Sequence, residues 1–374
     1  MNPTAPSFSL KSAIEYPLPA SSQTHEIVQV AEELLLVSQQ PSGALVKIRV
    51  DPVSGRPLAV ARHIVNSAYD GLHGLCVSRR HPGHVWVTLQ FTSELLRIDP
   101  VAGNLDAPPR IVERIALPAP ARGPHGIIEH GEHVWTTCKD SHHVVRVGIE
   151  EPHEFAVHPC PPRPIFVAVH PLSDDVYASL DQSSAILQLR PDGTTSILPL
   201  PESLGKTPVG LIAGPDKNVW FTALGGSGGG NGGFGRIDDS GRISRFNLDR
   251  GAAMGSGLIH LAFGPDADQP GAPERIYLLG SSMAAMMALN AVFEIGFSGG
   301  YAQIESQQTI ALPSQNSMTH RVLATRQGLY VTALGACAVA HLAPGCSAAG
   351  EGVNELADPY SLWGMGIPQE SFSY

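Results

Sequence analysis

The sequence predicts an all-β protein, a seven-bladed β-propeller closed by an N-terminal strand that completes the last blade. Three observations predict it. A short motif, aromatic or Leu followed by an apolar residue and usually Thr or Ser, recurs at a near-constant interval. Each copy is flanked by three further short apolar segments, so that four strands make one unit. The last copy lacks its fourth strand, and the first strand-like segment of the chain has no blade of its own.

The anchors are Leu36-Val37-Ser38, Trp86-Val87-Thr88, Trp135-Thr136-Thr137, Tyr177-Ala178-Ser179, Trp220-Phe221-Thr222, Tyr277-Leu278-Leu279 and Tyr330-Val331-Thr332, spaced by 50, 49, 42, 43, 57 and 53 residues. Ahead of each lies an innermost strand introduced by a Pro or Gly turn. Examples are Leu72-His73-Gly74-Leu75, Pro124-His125-Gly126-Ile127, Pro164-Ile165-Phe166-Val167 and Pro208-Val209-Gly210-Leu211. A third strand follows the anchor, as in Leu95-Leu96-Arg97-Ile98, and a fourth leads to a proline exit, as in Arg114-Ile115-Ala116-Leu117-Pro118. The seventh copy runs out near His341-Leu342, and Ala13-Ile14-Glu15-Tyr16-Pro17-Leu18-Pro19 supplies the missing strand. The expected division is a closing strand at about 12–19, blades over about 24–343 and a tail over 344–374 that carries Trp363 and Met365.

Composition agrees. The 374 residues are 43% hydrophobic and 16% charged, too apolar for a disordered chain, and 39 Gly with 32 Pro imply many turns. A net charge of −10 without a Lys/Arg run offers no surface for nucleic acid. The first 25 residues show no leader pattern, and no apolar stretch is long enough to span a bilayer, so a cytoplasmic protein without membrane contact is expected, a monomer or weak homo-oligomer. Five cysteines without CxxC spacing fit reduced thiols.

The run Pro208-Val209-Gly210-Leu211, then Gly214-Pro215-Asp216-Lys217-Asn218-Val219-Trp220-Phe221-Thr222 and Gly235-Arg236-Ile237, resembles the repeat of the streptogramin (virginiamycin B) lyase family. The resemblance implies a seven-bladed propeller that opens a cyclic depsipeptide lactone by elimination, without water, using a magnesium ion. It implies functional residues in the Pro-x-Gly turns of the first, sixth and seventh blades; here those turns hold His25, Ile259 or His260, and Thr319 or His320. The family's metal-binding Glu pair falls on Met318 or Ser317 and on Ala333, none of which is a carboxylate. Mg²⁺ needs oxygen ligands, so no cofactor is expected, and the chemistry reads as metal-independent or as using an ion held by His.

In a four-stranded meander, the turn leading into the innermost strand and the turn between strands two and three lie at one end. The first set brings His25, His73 and His125 to one face, with His260 and His320 at or beside equivalent positions; neutral imidazoles suit acid/base work or metal ligation. The second set contributes Gln40, Gln90, Lys139 and Asp181. Lys139 and Asp181 form either a plain ion pair or an electrophilic stabiliser with a carboxylate base. Tyr69 and Asp70 are expected at the pocket rim. A glycine run over 225–233 and a Met-rich stretch over 281–289 extend the same face as a candidate lid. GxSxG and GxGxxG matches inside that glycine run lie between strands and carry no hydrolase or nucleotide site.

The expected activity is a lyase or isomerase acting on a small, secondary-metabolite-like substrate: a His abstracts a proton beside a carbonyl, and elimination of a C–O bond or a ring rearrangement follows. The alternatives are a propeller that binds a peptide or protein, and a lactonase-like metal hydrolase.

Overall fold

Among the described residues, twenty-eight strands, β1 to β28 in chain order, form seven four-stranded antiparallel sheets. The computed structural model describes residues 9–21, 23–225, 232–249, 256–283 and 288–345. Six blades are continuous in sequence, over 27–64, 72–116, 124–159, 164–199, 208–246 and 257–311. The seventh has the order β1-β28-β27-β26, so β1 (Ser9–Pro17) is the outer strand beside β28 (Ala338–Gly345). Their register runs from Ser9↔Gly345 to Pro17↔Ala338, and Leu18 N–H extends it by donating to Cys337 O at 2.7 Å. The closing strand thus begins and ends slightly earlier than 12–19, and β28 takes two residues of the expected tail. The rest of that tail, with Cys346, Trp363 and Met365, lies outside the described residues, as do most of the glycine run and the centre of the Met-rich stretch.

Burial follows strand position. Second strands are buried throughout in five blades, as in Val85–Leu89 and Val176–Leu180, because neighbouring blades cover both of their faces; in blades 3 and 6 His133, Trp135 and Arg275 are half-buried. Outer strands alternate exposed and half-buried residues, as in Thr195–Pro199. The aromatic opening most anchors sits at the centre of the inter-blade packing: Trp86, Tyr177, Trp220 and Tyr330 are fully buried. Three of their polar ends are bonded, Trp86 Nε1 to Glu129 at 2.8 Å, Trp220 Nε1 to Asp216 at 2.9 Å, and Tyr330 OH to Gly55 O at 2.5 Å.

The anchor's closing Thr or Ser joins blade to blade. The innermost strands of blades 2 to 7 are bulged where they pass the axis, as between Pro124 and Ile127, and the bulge leaves one N–H without a ladder partner. In blade 3, Gly126 N–H donates to Thr137 Oγ1 at 3.0 Å, and that hydroxyl donates onward to Ile165 O of blade 4 at 2.7 Å. The same relay runs from Ser38 to His73 O, Thr88 to His125 O, Ser179 to Val209 O, and Thr332 to His25 O, the last joining blade 7 to blade 1. Blade 6, whose anchor ends in Leu279, differs: Ser281 Oγ donates to Thr319 O at 3.0 Å and Thr319 Oγ1 returns a bond to Gly280 O at 2.7 Å. The close approach explains the glycines of the turn, since a Cβ on Gly74 would lie 2.4 Å from His125 O and one on Gly126 2.5 Å from Ile165 O.

A second clamp joins blades 2 and 3 at the opposite end of the strands. The Glu129 carboxylate accepts from Ser78 Oγ (2.6 Å), Trp86 Nε1 (2.8 Å), Arg79 N–H (2.7 Å) and Arg80 N–H (2.8 Å). Burial alone would raise its pKa, but these bonds outweigh burial and hold it below the ordinary carboxylate range.

Two outcomes are expected. Thr137→Val keeps the shape but orphans the Gly126 N–H and leaves the Ile165 carbonyl with His125 Nδ1–H as its one side-chain donor, and should lower unfolding free energy by about 1–3 kcal/mol in urea titration; a loss under about 0.5 kcal/mol would show that the relay is not limiting. A carboxyl depressed in the folded state stabilises fully above its unfolded pKa and loses that contribution as pH falls through its folded value. The stability gap between wild type and Glu129→Gln should therefore be widest near neutrality and shrink towards about pH 3.

Candidate functional site

Around the axis, the position after the turn's first residue is filled in blade order by His25, His73, His125, Ile165, Val209, Ile259 and His320. Bulge registers fix the two ambiguous blades. Leu258 pairs with Gly280 and Leu261 with Leu278, so Ile259 takes this position in blade 6; Thr319 pairs with Ala333 and Val322 with Val331, so His320 takes it in blade 7. The four histidines belong to the adjacent blades 7, 1, 2 and 3 and make a crescent. His25–His73 and His25–His320 ring centroids are 4.6 Å apart, and His73–His125 centroids 3.8 Å. Aliphatic side chains from blades 4, 5 and 6 complete the ring.

The next position forms a second layer: Glu26, Gly74, Gly126, Phe166, Gly210, His260 and Arg321. His260 therefore belongs below the crescent; it is buried, with no hydrogen-bond partner on either ring nitrogen, and meets Phe166 edge-on at 5.8 Å. Glu26 was not among the expected site residues, yet it is the carboxylate at the axis. Arg321 Nη1 is 3.0 Å from Glu26 Oε2, and His320 Nδ1 is 3.3 Å from Oε1, an ion-pair distance whose geometry falls short of a hydrogen bond. Burial alone would raise the Glu26 carboxyl, but Arg321 and His320, with His260, hold it well below the usual carboxylate range.

Above the crescent opens a cavity of about 390 Å³ lined by His25, His125, His320, Gln23, Gln40, Gln90, Phe91, Lys139, Arg163, Asp181 and Phe166, and on its apolar side by Ile165, Val209, Leu224, Ile259, Met283 and Leu334. The strand-two ends reach it because their N–H groups bond the residues before the lead-in turns, as in Lys139 to Gly123 O at 2.9 Å and Asp181 to Arg163 O at 3.2 Å. His73, fully buried, lies behind the lining. Gln40 donates to Gln90 at 2.6 Å. The ion-pair partner of Asp181 is Arg163, at 3.1 Å, with Lys139 adding its field. Tyr69 is 83% exposed, and Asp70, bonded by Asn66 at 2.5 Å, is buried away from the cavity; neither lines it.

Burial, reinforced by mutual repulsion within the crescent and by Lys139, pushes His25, His73 and His125 well below the ordinary imidazole range, so they are neutral at pH 7. Burial, then Arg163, lowers Lys139 against the pull of Asp181 and Asp140; burial raises Asp181 against Arg163 and Lys139. The site therefore holds neutral bases beside a cationic patch.

Comparison of the sequence with protein-family models and with curated proteins finds no match. Comparison of the structure finds many similar solved structures. A catalytically inactive His-to-Ala variant of virginiamycin B lyase from Staphylococcus aureus, solved with quinupristin, superposes with TM-score 0.68 at 16% identity over 90% of this chain and 99% of that one. The fold is that of the streptogramin B lyases. A second streptogramin B lyase structure gives TM-score 0.66 at 18% identity over 89% and 97%. Hydrazine synthase of Kuenenia stuttgartiensis gives 0.62 at 11% over 88% and 97%, so the scaffold alone does not specify chemistry.

The magnesium that the lyase resemblance implies does not fit this donor set. Mg²⁺ takes hard oxygen ligands in octahedral geometry, whereas the axis presents imidazoles, and both its carboxylates are held by arginines. Glu26→Ala would leave Arg321 unpaired in the interior and should cost about 3–5 kcal/mol in chemical denaturation; a loss below about 1 kcal/mol would remove the pair from its structural role.

Proposed function

We propose that the chain is a lyase or isomerase acting in the central cavity on a small natural-product-like molecule with an enolisable carbonyl. One observation carries the reading: neutral His125 faces a cavity whose adjoining wall holds Lys139 and Arg163. His125 Nδ1–H donates to Ile165 O at 3.0 Å, which leaves its Nε2 lone pair free to act as base.

In the proposed reaction, Nε2 takes a proton from the carbon beside the carbonyl, while Lys139 and Arg163 stabilise the charge on the carbonyl oxygen. The electron pair then forms a C=C bond as the β C–O bond breaks, the leaving oxygen departs with its pair, and the imidazolium returns the proton to it. Where no β leaving group exists, the same enolate is reprotonated elsewhere, which is isomerisation. The apolar wall from blades 4 to 7 suits a bulky ring. The likeness in fold to a lyase solved with quinupristin supports reading the cavity as a ligand site.

His125→Ala should lower turnover of a lactone and enolisable-carbonyl panel by about 10²–10⁴-fold, and Lys139→Met by about 10²-fold, with exchange of solvent deuterium into the substrate lost in the first. Wild-type rates in both variants would refute the assignment. Saturable ligand binding without turnover or exchange would favour a binding propeller.

A further inference from the structure

We infer that His25, His73 and His320 form a binding site for one divalent transition-metal ion of the Zn²⁺ class, placed at the floor of the cavity by three adjacent blades. One ring nitrogen from each lies within 4.8 Å of the other two. All three rings are more than nine-tenths buried. His25 Nδ1 and His73 Nε2 are buried and have no hydrogen-bond partner.

The opposite edges of the rings decide which nitrogens carry lone pairs. His25 Nε2 lies 2.8 Å from Gln23 Oε1, an acceptor, so the proton is on Nε2 and Nδ1 is bare. His73 Nδ1 lies 3.2 Å from His125 O, also an acceptor, so Nε2 is bare. The Glu26 carboxylate beside His320 Nδ1 favours the proton there and frees Nε2. Bare imidazole nitrogens thus converge, and among the described residues neither His25 Nδ1 nor His73 Nε2 meets a hydrogen-bond donor, so a bound cation would satisfy both lone pairs. Acceptors behind metal-binding imidazoles, a carboxylate among them, are the outer shell that such sites use.

Three nitrogen ligands suit Zn²⁺ and its neighbours rather than Mg²⁺. Tetrahedral Zn–N bonds of about 2.0–2.1 Å set nitrogens about 3.4 Å apart, so nitrogens now within 4.8 Å of one another need close by at most about 1.4 Å. The backbone is held for this: Ser38 Oγ bonds His73 O at 2.7 Å, and the Thr332 hydroxyl bonds His25 O. His25 and His320 line the cavity, so the ion's remaining position opens towards it. The inference goes beyond the proposed reaction and stands without it.

The full chain, purified without a histidine tag and stripped with chelator, would be titrated with Zn²⁺ and with Co²⁺ in the absence of any substrate. One equivalent of zinc per chain by elemental analysis, a higher Tm with metal, and visible Co²⁺ bands of a low-coordinate nitrogen site are expected. His73→Phe and His25→Ala should each lower affinity at least 100-fold, while His153→Ala, in a separate Glu113–His153 cluster, should bind as wild type. Less than about 0.1 equivalent on the wild-type chain would overturn the inference, as would loss of binding in His153→Ala alone. Should either crescent variant misfold, the wild-type cobalt spectrum still decides, since octahedral oxygen-type bands would refute the site. Turnover is not measured, so failure here leaves the His125 reading intact, and the reverse.

Discussion

The second-strand hydroxyl that links one blade to the next is the interaction on which the site depends. It accepts from a bulged N–H that the sheet ladder cannot use and donates to the carbonyl of the neighbouring blade's axial residue. The backbone carbonyls of His25, His73, His125, Ile165 and Val209 are thereby bonded to a blade other than their own. Without that constraint, the innermost strands could slide along the axis at little cost in hydrophobic burial, because dispersion contacts are non-directional. With it, the carbonyls of His25, His73 and His125 are held in place, and the imidazoles inherit a fixed spacing.

Held in this way, the axis is chemically two-sided. Imidazoles cluster on blades 7, 1, 2 and 3, aliphatic groups on 4, 5 and 6, and the cationic residues Lys139 and Arg163 adjoin the end of the crescent. Desolvation keeps His25, His73 and His125 neutral, and the guanidinium of Arg321 keeps Glu26 charged beneath them. Opposite protonation states are thus maintained a few ångströms apart by burial on one side and ion pairing on the other.

The anchor triplet is legible in the sequence because a different physical demand selects each of its three residues. The aromatic fills the space between blades, the middle residue packs inward, and the hydroxyl bonds across. Tyr277-Leu278-Leu279 is readable as an anchor from its aromatic and its spacing, even though Leu279 cannot relay. The crescent is legible in part, since His25, His73 and His125 stand in recognisable turns. Glu26, Arg321 and Phe166 are not, because they occupy the slot that a glycine fills in blades 2, 3 and 5, where attention to the preceding residue passes them over. Scanning that slot for non-glycine residues exposes the whole second layer. Arg163 is hidden for another reason: its left-handed backbone (φ 59°) takes the place of Gly71 and Gly123 in blades 2 and 3, so it reads as a turn residue. Tyr69 and Asp70 show the converse, as proximity in sequence to His73 does not bring them into the cavity.

The pairing of β1 with β28 ties together segments more than 300 residues apart, so one is synthesised long before the other. While the ribosome is still producing blades 2 to 6, the first strand has no sheet to join, and blade 7 does not exist. Blades 1 to 6 can each pack locally as they emerge, but the ring can shut only after the last strand has left the exit tunnel, so the axial crescent, which needs blade 7 beside blade 1, is assembled in that final step. Until then the growing protein is an open arc with two unsatisfied sheet edges. A nascent chain of this kind is most vulnerable to edge-to-edge association immediately before it becomes functional.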